Sequence, residues 1–151
     1  MLKEMKKNIK IDAVIPILNE EESLHQCLTS IVSLNVPENV SLRINIVDGS
    51  SEDSSLNIAK EFMENHQNIF ILNNPKKIQS AAMNMVINSS ESDYILRLDA
   101  GNIYSNDYLI NCLETSIRRD ADNVGGLITT IAASGSFSSS IVESIISHPF
   151  G

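Results

Sequence analysis

Three apolar runs, each breaking into a polar turn that carries an acid, constrain this chain more than any other feature. Ile44-Asn45-Ile46-Val47 ends in Asp48-Gly49-Ser50-Ser51-Glu52-Asp53-Ser54. Ile11-Asp12-Ala13-Val14-Ile15-Pro16 breaks into Ile17-Leu18-Asn19-Glu20-Glu21-Glu22-Ser23. Tyr94-Ile95-Leu96-Arg97-Leu98 ends in Asp99-Ala100-Gly101-Asn102. Short apolar runs bounded by turn residues read as buried strands. Strands that alternate with helical periodicity predict a mostly parallel sheet with helices on its faces. In such sheets ligands bind outside the carboxyl ends of the strands, so an acid there is placed to meet a ligand.

The helical stripes fall between these runs. Leu24, Cys27, Leu28, Ile31 and Val32 repeat at helical spacing, with Asn19 or Ser23 as the expected cap. A second helix is expected to start over 51–54 and to bury Leu56, Ala59, Phe62 and Met63. A third is predicted over 79–88, with Ala81, Ala82, Met85 and Val86 as its apolar residues. A fourth carries Leu109, Cys112, Leu113 and Ile117 behind a cap at Ser105 or Asn106. Residues 69–72 read as a short strand that Asn73-Asn74-Pro75 stops. Further strand, loop and helix are expected over 124–131, 133–140 and 139–147. The expected organisation is a tail over 1–10 and one domain over 11–151.

A formal net charge of −8 argues against a nucleic-acid partner, which favours a basic face. Lys3, Lys6, Lys7 and Lys10 form a local basic cluster that reads as a solvated tail. Cys27 and Cys112 read as small buried hydrophobes rather than a disulfide pair or metal ligands. His25 and His66 fall on predicted helices and His148 near the end, too far apart for a metal motif. No apolar run approaches a membrane span, and no secretory segment precedes Ile11. A cytoplasmic protein is expected, with the inner face of the membrane as the place where a lipid-linked partner would be met.

The chain resembles the family 2 glycosyltransferases of the GT-A fold at Val14-Ile15-Pro16 with Asn19-Glu20, at Val47-Asp48-Gly49-Ser50 with Asp53, and at Leu98-Asp99-Ala100. The likeness continues through Asn73-Asn74-Pro75, Asn84, Tyr104, Asp107-Tyr108 and Ala121 to Gly126, and ends at His148-Pro149-Phe150-Gly151. These later segments look like the branch that builds bacterial exopolysaccharides such as succinoglycan. The resemblance implies a Rossmann-like GT-A sheet with helices on both faces, truncated on its C-terminal side. It implies sugar transfer, with inversion, from a nucleotide-diphosphate donor to a saccharide or lipid-linked acceptor. The acceptor half, with its late acidic general base, is expected to be absent from these residues, and membrane contact would come through that part. The competing expectation is a nucleotide-binding module without turnover. A nucleotidyltransferase fits less well, because no Gly-rich phosphate loop occurs.

Each candidate residue carries two readings. Asp48 can accept an N–H from a nucleotide base, or close its own strand-to-helix turn. Pro16, Leu18, Asn19 and Glu20 can flank the base and ribose, while Glu20 alone can simply complement a helix dipole. Gly49 turns the chain at the strand end and is expected in the same nucleotide-sugar site. Asn84 is expected to support the donor loop, and Lys76 or Lys77 to meet phosphate or lie in a solvated turn. The resemblance assigns Asp99 and Ala100 to ribose or diphosphate, with Asp99 the ligand of a Mg²⁺ or Mn²⁺ ion. Gly101 departs from the family pattern, since it stands where relatives carry a second ligand. Asn102 or water is the available substitute. Glu114, Asp120 and Asp122 give no assignable general base.

Overall fold

The computed structural model describes residues 8–126. Strands β1 (Ile9–Ile17), β2 (Val40–Asp48), β3 (Ile69–Asn73) and β4 (Tyr94–Arg97) alternate with helices α1 (Glu21–Val32), α2 (Ser55–Asn65), α3 (Gln79–Ser89) and α4 (Tyr108–Arg119). The sheet runs β3-β2-β1-β4 and every pairing is parallel. Ile17 lies opposite Asp48, Asp48 opposite Asn73, and Val14 opposite Arg97. All four strands therefore end on one edge of the sheet.

Alternation along β1 and β2 explains the two cores. Ile9, Ile11, Ala13, Ile15 and Ile17 face the same way and meet Leu24, Leu28 and Ile31 of α1, Ala59 and Phe62 of α2, and Leu109 and Leu113 of α4. Val14 and Val47 point to the other face, where Ala82 and Val86 of α3 cover them. With both faces covered, consecutive residues Ala13, Val14 and Ile15 are all fully buried, so the run reads as continuous rather than alternating. Asp12, the charged residue of that run, lies on the α3 side, where the Ser90 hydroxyl donates to its carboxylate.

Several boundaries differ from the sequence expectation. Residues 51–54 form the turn, and α2 opens only at Ser55. The expected caps are absent: Glu20 and Asp107 hold the N-cap positions of α1 and α4 without side-chain cap bonds. Asn19 is in the left-handed region at φ 56° and bonds across to the next loop instead. Met63 and Met85 are exposed, because each lies about 100° round its helix from the inward-facing Phe62 or Val86. Lys10 belongs to β1, not to a tail, and its N–H donates to the Asp93 carboxylate. His66 follows the last turn of α2, and both it and His25 pack on the Phe62 ring. Of the strand expected over 124–131, Val124 to Gly126 are in no strand, and the remainder lies outside the described residues, as do the loop and helix expected after it. Among the described residues no helix is long and apolar enough to cross a membrane.

Ile15→Ala removes a fully buried side chain from the centre of this sheet. It is expected to cost about 2–5 kcal/mol. Ile95→Ala, on an exposed position of β4, is expected to cost under about 1 kcal/mol. Urea denaturation of the three proteins measures both.

Candidate functional site

The first two strand-end loops are laced together by bonds between one loop's backbone and the other's side chains. The Asn19 N–H donates to the Ser51 hydroxyl at 3.0 Å, and the Glu52 N–H donates to Asn19 Oδ1 at 2.8 Å. The Glu20 N–H donates to Ser55 Oγ at 2.7 Å. The Glu21 N–H donates to the Asp53 carboxylate at 3.1 Å, and Ser54 N–H returns a bond to the Glu21 carboxylate at 2.9 Å. These partners satisfy amides at the start of both helices, which is why neither helix needs a capping side chain of its own. Burial pushes the Asp53 carboxyl up, but bonds from the Ser55 hydroxyl, the Ser55 N–H and the Glu21 N–H outweigh it and hold the group below its ordinary 3.8.

Asp48 ends β2 and is buried, at 5% exposure. Its carboxylate accepts the Ser51 hydroxyl at 2.6 Å and the Ser51 N–H at 3.1 Å. Its carbonyl accepts the Asn74 N–H at 2.7 Å, tying the β3 turn to the same corner. Gly49 follows, and its N–H donates to the Ile17 carbonyl at 2.8 Å. A Cβ on Gly49 would come within 3.3 Å of both that carbonyl and Leu18 Cδ1. The absence of a side chain lets β2's turn press against the end of β1.

The third loop is held differently. Tyr104 accepts the Asp99 N–H on its hydroxyl at 2.7 Å and donates back to the Asp99 carbonyl at 3.3 Å. The same carbonyl accepts the Cys27 thiol at 3.6 Å, while the Ser30 hydroxyl accepts the Tyr104 N–H at 3.1 Å. So α1 carries the Asp99 loop as well as the first one. Burial, then the nearby Glu20 carboxylate, pushes the Cys27 thiol up to about 12, which makes it an inert donor rather than a nucleophile. The Asp99 carboxylate accepts Arg97 Nε at 3.1 Å, Arg97 Nη2 at 3.4 Å and Gln79 Nε2 at 3.0 Å.

Of the sequence candidates, Asn19, Glu20, Asp48, Gly49, Asp99 and Ala100 all lie at the carboxyl end of the sheet, in its strand ends and the turns after them. Leu18 is exposed there and Pro16 is half-buried at the end of β1. Ala100 is buried at 4% exposure. Asn84 is not at that edge; it sits exposed on α3, about 7 Å along the axis past Gln79. Lys76 and Lys77 are exposed in the turn before α3, with Lys77 at φ 56°. Ser51, Ser55, Gln79, Arg97 and Tyr104 are the residues that sequence reading missed as parts of this corner. Ser51, Ser55 and Gln79 bond to other loops, while Arg97 and the Tyr104 hydroxyl bond Asp99 beside them, and no periodicity announces any of these bonds.

The family model "Glycosyl transferase family 2" matches residues 12–144. The chain is 33% identical over 123 residues to the succinoglycan biosynthesis protein ExoA of Rhizobium meliloti, covering 80% of this chain and 37% of that protein. It is 32% identical over 146 residues to the dolichyl N-acetyl-alpha-D-glucosaminyl phosphate 3-beta-D-2,3-diacetamido-2,3-dideoxy-beta-D-glucuronosyltransferase of Methanococcus voltae, covering 92% of this chain and 44% of that one. The chain thus spans less than half the length of these relatives. Among solved structures, a mannosyltransferase of Pyrobaculum calidifontis in complex with GDP-Man and Mn²⁺ superposes with a TM-score of 0.65 at 18% identity, over 72% of this chain and 32% of that one. S. aureus TarS in complex with UDP gives 0.62 at 15% identity, over 80% and 39%. Both share the α/β fold.

Two outcomes follow from this corner. Tyr104→Phe is expected to cost about 1–3 kcal/mol, the loss of both bonds its hydroxyl makes to Asp99, measured by urea denaturation. Asp53 has its folded value lowered, so its contribution is complete above 3.8 and disappears as pH falls through the lower folded value. The stability gap between the parent chain and Asp53→Asn is therefore expected to be widest near neutrality and to narrow as the pH is lowered below 3.8, read from denaturation curves on both sides of that value.

Proposed function

Because the chain belongs to glycosyl transferase family 2, we propose that its strand-end corner binds a nucleotide-diphosphate sugar and serves transfer of that sugar, with inversion, to a saccharide or lipid-linked acceptor. The product would be an exopolysaccharide or cell-surface glycan, and a lipid-linked acceptor would place the reaction at the inner face of the membrane. One observation carries this reading. Asp48 is a buried carboxylate at a parallel strand end, and among the described residues Ser51 alone donates to it. A carboxylate has about four acceptor sites, so capacity remains for a base N–H.

The roles follow from position. Asp48 accepts from the base. Pro16, Leu18, Asn19 and Glu20 flank base and ribose, with Leu18 offering an exposed apolar surface and Gly49 keeping the backbone low beside it. Asp99 and Ala100 lie on the ribose and diphosphate side, where the Tyr104 hydroxyl fixes the Asp99 backbone. Asn84 acts through α3 rather than by contact.

The residues present do not fit a protein-held divalent cation. Asp99 is the one carboxylate of the motif, and Arg97 and Gln79 already give it three hydrogen bonds. A Cβ on Gly101 would meet nothing within 4 Å, so no neighbouring group fills the place of the missing ligand. Among the described residues no group of three His, Cys, Asp or Glu is arranged to hold a metal. A Mg²⁺ or Mn²⁺ ion at Asp99 would have to be brought in by the donor's own phosphate oxygens.

A second reading, nucleotide binding without turnover, is favoured by one observation. Glu114, Asp120 and Asp122, the carboxylates available for deprotonating an acceptor, lie on or after α4, and none of them belongs to the laced corner. Calorimetric titration with UDP and GDP tests binding under both readings, and release of nucleoside diphosphate from a donor panel separates them. Asp48→Asn keeps an acceptor for Ser51 and is expected to weaken nucleotide binding by about 1–3 kcal/mol. Unchanged affinity for both nucleotides in the folded variant would remove Asp48 from the site.

A further inference from the structure

The Asp99 carboxylate is partnered before any ligand arrives. Arg97 Nε and Nη2 donate to it at 3.1 and 3.4 Å, and Gln79 adds a third bond at 3.0 Å. A divalent cation at this carboxylate would have to compete with the three hydrogen bonds already made to it. With Gly101 beside it, the motif has no second side chain to compensate.

The pair contributes little to stability. The two side chains are 54% and 43% exposed, and ion pairs of that kind are worth roughly 0–1 kcal/mol. Its placement is more informative. Of the described arginines, Arg118 and Arg119 end α4, and Arg43 lies on the Phe70 ring, five residues and about 16 Å before the end of β2. Arg97 alone stands at the carboxyl end of the sheet, as the last residue of β4. Two of its five N–H donors go to Asp99, and the others have no protein partner among the described residues. A planar guanidinium with free donors suits phosphate oxygens.

We propose that Arg97 binds the diphosphate of the nucleotide donor directly, so that donor binding depends on this guanidinium more than on a divalent cation. The inference rests on the reading of the corner as a donor site. Asp99 then serves as the group that holds the guanidinium at the rim, with Gln79 fixing the carboxylate's other side.

Calorimetry on the 151-residue chain tests it, with UDP, GDP, uridine and guanosine, each in EDTA and in Mn²⁺. The diphosphate with measurable affinity in EDTA is expected to gain less than about threefold from Mn²⁺, the scale of a weak surface charge interaction. Arg97→Gln is expected to lower that affinity in EDTA by about tenfold or more, the value of a hydrogen bond to a charged group, while the matching nucleoside changes little. The Arg97→Gln/Asp99→Asn double variant separates direct binding from mere neutralisation of Asp99, and it is expected to stay weak. Recovery of parent affinity in the double variant would overturn the proposal, as would an unchanged Arg97→Gln or a gain from Mn²⁺ above about tenfold in the parent. Nucleosides that bind while Arg97→Gln leaves the diphosphate unaffected would sink this inference and keep the donor site. Absence of binding by all four ligands would sink both.

Discussion

Everything at the candidate site depends on the register of β1 against its two neighbours. Ile17 opposite Asp48 brings the first two loops side by side, and Val14 opposite Arg97 carries the Asp99 loop to the same edge. A slip of one residue would turn Asp48 and Ile46 to the α3 face and break the lacing of the loops at once. The pairing is held from inside. β1 is covered on both faces, and Asn45, buried in β2, donates its amide to the Ala13 carbonyl at 3.1 Å. That bond satisfies a polar side chain where no water reaches, and it is made from one strand to the next.

Helix α1 turns this register into a site. It opens at the first loop, with Glu20 at its N-cap position bonded to Ser55. About two and three turns on, Cys27 and Ser30 hold the Asp99 carbonyl and the Tyr104 amide. A single rigid element thus sets the spacing between the Asp48 side and the Asp99 side. Binding groups placed on rigid elements keep their geometry better than groups on free loops.

The strands were legible because burial on both faces leaves an unbroken apolar run, and because Asp48 and Asp99 stand just where such runs end. The helix stripes were legible in outline, although Met63 and Met85 proved to be exposed flanks rather than core. The caps were not legible. Asn19 looks like an N-cap in sequence, but its side chain serves the Glu52 amide thirty-three positions away. Ser51 and Ser55 likewise act across loops, and local pattern carries no trace of that. Arg97 was hidden for a different reason: inside a strand run it reads as an interruption, and only the sheet reveals that it ends at the rim.

The laced loops also shape how a charged molecule would approach. Glu20, Glu21, Glu22, Glu52 and Asp53 surround an open depression at the mouth of the first two loops, in a chain whose formal net charge is −8. An anion arriving from that side meets a repulsive field, which in dilute salt extends over roughly 10 Å or more. The guanidinium of Arg97 lies on β4, across β1 from the second loop. For a nucleotide bound as proposed, phosphates turned toward Arg97 would meet less of this repulsion than phosphates turned toward the acid-lined mouth. The field that slows its arrival also selects its orientation, so added salt should quicken capture while loosening that selection.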